Sequence, residues 1–189
     1  MIEQPTYLKL LCGIANAESD AHCYLSAWRD TTTDADLRSI LTTVASREGE
    51  HGMAFAKRVI ELGFDFERKE SATLAEKVMV AHSACSDMEK AQHFGLDRAE
   101  ETLTFFDTVF KDHSIDIRTG ELMGRYIAEE HDTARMVKRC YETMCLQGSP
   151  ATPASTTLAS LETKVDALCR TVDELRQIVC AQTMPAAVA

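Results

Sequence analysis

Between residues 37 and 62 an apolar residue returns every third or fourth position, and two places on that stripe are held by an acid and an imidazole. Wound as a helix, Leu37, Leu41, Val44, Glu48, His51, Phe55 and Leu62 lie along one face. A carboxylate on such a face is costly among apolar neighbours unless a proton, a cationic partner or a metal neutralises it. Glu48 and His51 stand one turn apart and can reach a single ion. Glu-x-x-His is the device by which helical bundles hold transition metals between their helices. The same pair also suits a metal-free core in which the imidazole is hydrogen-bonded to the acid.

The pattern recurs upstream. Residues 7–29, following Pro5 and Thr6, predict a first helix with Leu8, Leu11, Ala15, Glu18, His22 and Leu25 on one stripe. Residues 31–36 are rich in capping side chains, so the second helix begins at Leu37 and ends near Leu62 and Gly63. The short connection makes the two helices antiparallel neighbours. Glu18, Glu48 and His51 are each near mid-helix, and antiparallel pairing brings them to one level. Glu18 and His22 also read as a local helical pair, worth a few tenths of a kcal/mol if exposed.

Downstream, Thr73 with Glu76 and Ser86 with Glu89 have the spacing of capping boxes, which predicts two short helices at about 74–84 and 87–94. Their stripe of Leu74, Val78, Ala81, Cys85 and Met88 is ordinary packing, and His82 and His93 read as surface or satisfied histidines. Residues 97–112 carry Glu100, Glu101, Leu103, Phe105, Phe106, Val109 and Phe110, with Glu100 nearer the apolar stripe than Glu101. A last long helix, 120–146, capped by Thr119 or a neighbour, has the seam Met123, Ile127, Glu130, Ala134, Val137, Tyr141 and Met144. Glu130 is thus a third acid at a core position.

The stretch Ala17-Glu18-Ser19-Asp20-Ala21-His22-Cys23-Tyr24 resembles the first helix of rubrerythrin-like members of the ferritin-like superfamily. The acid followed by an aromatic pair in 97–112 is similar to their third bundle helix. The resemblance covers about residues 1–146, without a rubredoxin domain, and it implies an all-α fold: a ferritin-like antiparallel four-helix bundle. It also implies a non-haem iron or manganese site held by Glu18, Glu48, His51 and Glu130, with Glu100 and His131 as further candidates, either di-iron or a degenerate single-metal centre. This sequence departs from the family at its last helix, which reads Ala128-Glu129-Glu130-His131-Asp132. The position three before His131 is alanine, so the second Glu-x-x-His is missing. In a regular helix His131 lies about 100° round from Glu130, and a π-bulge would be needed to restore it.

Residues 147–157 are a linker by composition. Beyond it Leu158, Leu161, Val165, Leu168, Val172, Leu175 and Val179 alternate by threes and fours, which predicts a coiled-coil oligomerisation helix over 158–182 and a homo-oligomer held through 158–179. Valine mostly at one core position and leucine at the other favours parallel dimers, while Cys169 and Ile178 widen the stripe and leave a trimer, a tetramer or docking on the bundle open.

A net charge of −10 argues against nucleic acid and anionic membrane surfaces as partners. No run is apolar enough to span a membrane, and Met-Ile-Glu-Gln-Pro does not resemble a signal peptide, so a cytoplasmic location is expected. The seven cysteines are scattered and never form Cys-x-x-Cys, which excludes zinc ribbons, iron-sulfur clusters and a rubredoxin-type centre. Carboxylates with an imidazole leave open positions on Fe(II), where O2 or peroxide can be reduced. The expected function is therefore oxidase, peroxidase or iron-oxidising chemistry. Its rival is a metal-free ferritin-like bundle that serves as a self-associating structural or interaction module.

Overall fold

A computed structural model of the chain describes residues 4–96 and 114–148, together with Val165. Among these residues the fold is all helical: α1 (Leu8–Thr31), α2 (Ala35–Glu61), α3 (Leu74–His82), α4 (Asp87–His93) and α5 (Ile117–Gly148). The chain divides into two units, Met1–Cys145 and Leu146–Ala189, and the residues that build the site belong to the first. The expected helix at 97–112, with Glu100, lies outside the described residues, as do the heptads of 158–182 apart from Val165. No described helix is long and apolar enough to cross a membrane.

Asp34 starts α2 by accepting from the backbone N–H groups of Asp36 and Leu37, and the helix stops at Gly63, whose φ of 87° only glycine adopts freely. Small residues then let α1 and α2 approach closely. A Cβ built on Gly52 would lie 2.6 Å from Ser19 Oγ and 3.3 Å from the Ala15 carbonyl, so the helices meet where glycine, serine and alanine coincide. One turn away, His22 Nδ1 lies 2.6 Å from the Ala45 carbonyl oxygen and donates to it. The helices are antiparallel, since Ser19 faces Gly52 while His22 faces Ala45.

From Gly63 to Leu96 the chain runs back along α1. Lys69 N–H donates to Asn16 Oδ1, Arg68 and the Ser71 N–H both donate to the buried Asp20, Lys77 sits over the Tyr24 ring, and Thr31 donates to the Ala81 carbonyl. The capping box at Ser86 and Glu89 forms as its spacing predicts. Thr73 precedes α3 without making the expected side-chain cap bond.

Asp116, not Thr119, caps α5. Its carboxylate accepts from the N–H groups of Arg118 and Thr119, while the Thr119 hydroxyl, fully buried, joins Asp116 to the Arg58 guanidinium. The pairs Tyr7–Asp116 and Glu18–Tyr126 show α5 running in the direction of α1. Against α2 it runs antiparallel, since Arg58 meets Thr119, His51 meets Glu129 and Arg47 meets Thr133.

Two apolar clusters result. One joins Leu8, Leu11, Ile14, Phe55, Val59, Met123 and Tyr126; the other joins Leu25, Trp28, Leu37, Leu41, Val44 and Val137. Fully burying a side chain such as Phe55 or Leu41 contributes about 1.5 to 3 kcal/mol. Along each helix the acids Glu18, Glu48 and Glu130 fall between the clusters. Packing on both sides therefore holds a polar layer that, left unpaired, would cost several kcal/mol per charge.

Candidate metal centre

Each of the three long helices contributes to this layer. Glu18 comes from α1, Glu48 and His51 from α2 and Glu130 from α5, and one ligand atom from each lies within 4.8 Å of the others. Glu18, Glu48 and His51 are buried and Glu130 is half-buried. An ion held at about 2.0 to 2.2 Å by nitrogen and oxygen ligands separates opposite ones by roughly 4 Å, so the four groups need little contraction to close around a single ion.

His51 is flanked by two carboxylates that are neighbours in sequence. Its Nε2 lies 2.7 Å from Glu129 Oε2 and its Nδ1 lies 3.3 Å from Glu130 Oε1. The first is a well-formed hydrogen bond. The second is not aligned as one, and Nδ1 and Oε1 are both buried without a hydrogen-bond partner. Burial opposes a charge on His51, but Glu130 and Glu129 outweigh it and hold its pKa above the ordinary value. Glu129 is opposed by its own partial burial, yet the bonds from His51 and Arg125 keep its pKa below the usual carboxylate range. Arg125 Nε donates to Glu129 Oε1 at 2.9 Å, completing a chain from the surface to the imidazole.

Burial, with Glu18 and Glu130 alongside, pushes the Glu48 carboxyl up to about 11. In the absence of a cation Glu48 therefore holds a proton at neutral pH. The buried Tyr126 hydroxyl donates to Glu18 Oε1 at 2.6 Å, and its ring meets those of His51 and Phe55 edge-on at 4.9 and 5.0 Å. Burial and the nearby Glu18 raise the Tyr126 pKa, so the phenol keeps its proton.

His131 does not join the cluster: it is exposed, as is Ala128. The described part of α5 is regular α-helix with no π-turn to swing it inward. Nor does His22 pair with Glu18, since it turns to the α2 backbone instead. Three residues that complete the site escape the seam argument. Tyr126 had a signal, because it stands three after Met123 and four before Glu130 and so shares their stripe. Glu129 and Arg125 had none, because Glu129 reaches the imidazole, and Arg125 reaches Glu129, from outside the stripe.

The orphaned Nδ1 and Oε1 fit a cation, which would satisfy both atoms at once. Three carboxylates and one imidazole suit divalent iron, manganese or zinc. Beside the cluster, Glu18, Glu48 and Glu130 line one part of a cavity of about 560 Å³ whose other walls include Tyr24, Leu41, Val44 and Val137. No protein-family model, curated protein or solved structure matches this chain.

Proposed function

We propose that this protein binds one Fe(II) or Mn(II) ion through Glu18, Glu48, His51 and Glu130, as a degenerate single-metal form of the ferritin-like centre, and that it acts on O2 or peroxide. The observation that carries the reading is the pair of buried atoms, His51 Nδ1 and Glu130 Oε1, that face each other without a hydrogen bond. Polar atoms buried without a hydrogen bond cost about 1 to 3 kcal/mol each. A single ion is favoured because the cluster formed by the described residues contains one imidazole only.

The fold that accompanies this reading is the four-helix bundle, with 97–112 as the remaining helix. Its support is the chain path. The chain leaves at Leu96, near Phe94 stacked on Tyr24, and returns at Ser114, whose hydroxyl meets that of Thr6 at the far end of α1. From Tyr24 back to Leu8 is about 24 Å of helix, and the sixteen residues 97–112 would cover about 24 Å if helical.

In the site two of the three glutamates would balance a divalent ion, the third would balance the charge added as Fe(II) becomes Fe(III), and His51 would fix its place. Iron bound there would supply one-electron chemistry toward O2 or peroxide. Tyr126 donates to one oxygen of Glu18 and so fixes the orientation of that carboxylate. Its hydroxyl also places a proton at the edge of the polar layer.

The rival metal-free module draws on the exposed Ala128 and His131, which leave α5 without the second motif. Protein purified without chelators decides between them. It is expected to carry up to one equivalent of metal, and saturating Fe(II) or Mn(II) should stabilise it by about 2.7 kcal/mol at a hundred times Kd. Glu48→Ala should abolish that gain. A melting temperature that none of Fe(II), Mn(II) and Zn(II) moves would exclude the metal-binding reading.

A further inference from the structure

We infer that Glu129 is a positioning residue: it keeps the single ring proton of neutral His51 on Nε2 and so leaves Nδ1 as the atom offered to a cation. A neutral imidazole has one proton for two nitrogens, and an ionised carboxylate can only accept. Glu129 and Glu130 therefore compete for that proton. Glu129 wins by geometry, at 2.7 Å in a formed hydrogen bond, against 3.3 Å and no hydrogen bond for Glu130.

The two acids are adjacent on α5 and about 100° apart round its axis, so they reach opposite edges of one ring. Glu130 lies with the inward cluster while Glu129 is partly exposed, its side chain 27 % accessible against 5 % for His51. Arg125 holds the outer oxygen of Glu129 from one turn before it and keeps the carboxylate from turning away. A ligand imidazole commonly gives its second N–H to a carboxylate, and losing such a partner weakens metal binding about 10- to 100-fold. α5 thus supplies no imidazole to the cluster; it supplies one carboxylate to it and one behind His51.

The affinity arm of the test rests on the metal-binding reading, whereas the proton arm does not. Mn(II) affinity is measured by calorimetry for wild type, Glu129→Ala, Glu129→Gln and Arg125→Gln, with the exposed Glu121→Gln on the same helix as control. Glutamine can still accept from Nε2–H and alanine cannot. Glu129→Ala should bind at least tenfold more weakly than Glu129→Gln, Arg125→Gln should lose less than Glu129→Ala, and the control should match wild type. Less than a tenfold separation between the alanine and glutamine variants overturns the inference. In the metal-free proteins, at a pH where the ring is neutral, nitrogen-15 NMR should place the His51 proton on Nε2 in wild type and shift it toward Nδ1 in Glu129→Ala. A wild-type proton on Nδ1, or no shift in the variant, also overturns it. If wild type binds no Mn(II), the proposed function fails instead, and the proton arm alone decides the role of Glu129.

Discussion

Glu48 gives the fold a distinct pH signature. With its carboxyl pushed up from 4.5 to about 11, the folded metal-free protein holds a proton that the unfolded chain has released. Stability must then fall as pH rises across that interval, by at most about 1.4 kcal/mol per pH unit for the one proton. His51 acts in the same direction: the stabilisation that raises its pKa is present below about 6.5 and is lost as pH climbs through the folded value. In chelator-treated protein, melting temperatures between about pH 6 and 9 should decline for wild type and decline less for Glu48→Gln. Equal slopes would mean that Glu48 is already ionised in the fold. Metal binding inverts the dependence, because the ion must displace the Glu48 proton, so affinity should rise with pH over the same range.

Helix contacts set how well those residues are held, and two glycines on α2 test this in different ways. Gly52→Ala drives a methyl group to 2.6 Å from Ser19 Oγ and 3.2 Å from the Ser19 nitrogen, where α1 backbone cannot yield. A loss of about 1 to 3 kcal/mol is expected from overpacking, with weaker metal binding as α1 and Glu18 are pushed out. Gly49→Ala meets only the His22 ring, with Nδ1 at 2.9 Å, which must turn and give up its bond to the Ala45 carbonyl. The helix gains up to about 1 kcal/mol of propensity and loses a hydrogen bond of similar size, so chemical denaturation should show Gly49→Ala near neutral. At the start of α5, Asp116→Ala removes a cap and the acid that Arg58 reaches at 2.8 Å, and should cost about 2 kcal/mol. Burial works against that charge, but bonds from Thr119, Tyr7 and Arg58 prevail and hold its pKa low. Its stabilisation is therefore present above the unfolded value and is lost in strong acid. The seam of α2 and the acids at its level were legible in the sequence, since a periodicity of three and four identifies a buried face. The cap of α5 was not, because Thr119 and Asp116 are both capping residues and Arg58, far away in sequence, settles their roles. Glu129 was hidden for a related reason: its function depends on which side of an imidazole on another helix it reaches, and no local pattern encodes that.

For assembly the sequence remains the guide. Seven apolar residues from Leu158 to Val179 repeat by threes and fours without a break, while Pro150 and Pro153 interrupt any helix that would run on from α5. A strip of that length exposed on a monomer would be poorly soluble, so we propose that it pairs with the same strip on other copies. Ending the chain at Gln147 should then lower the mass in solution, measured by light scattering, by a whole-number factor. The shortened protein should keep its metal affinity and far-ultraviolet helix signal per residue over α1 to α5, because every described ligand lies within Met1–Cys145. On α2, Met53 and Ile60 stand seven residues apart and are 69 % and 61 % exposed. If truncation leaves the mass ratio unchanged and Met53→Lys with Ile60→Lys dissociates the assembly, the subunits are held by that face of α2 and the heptads serve another end.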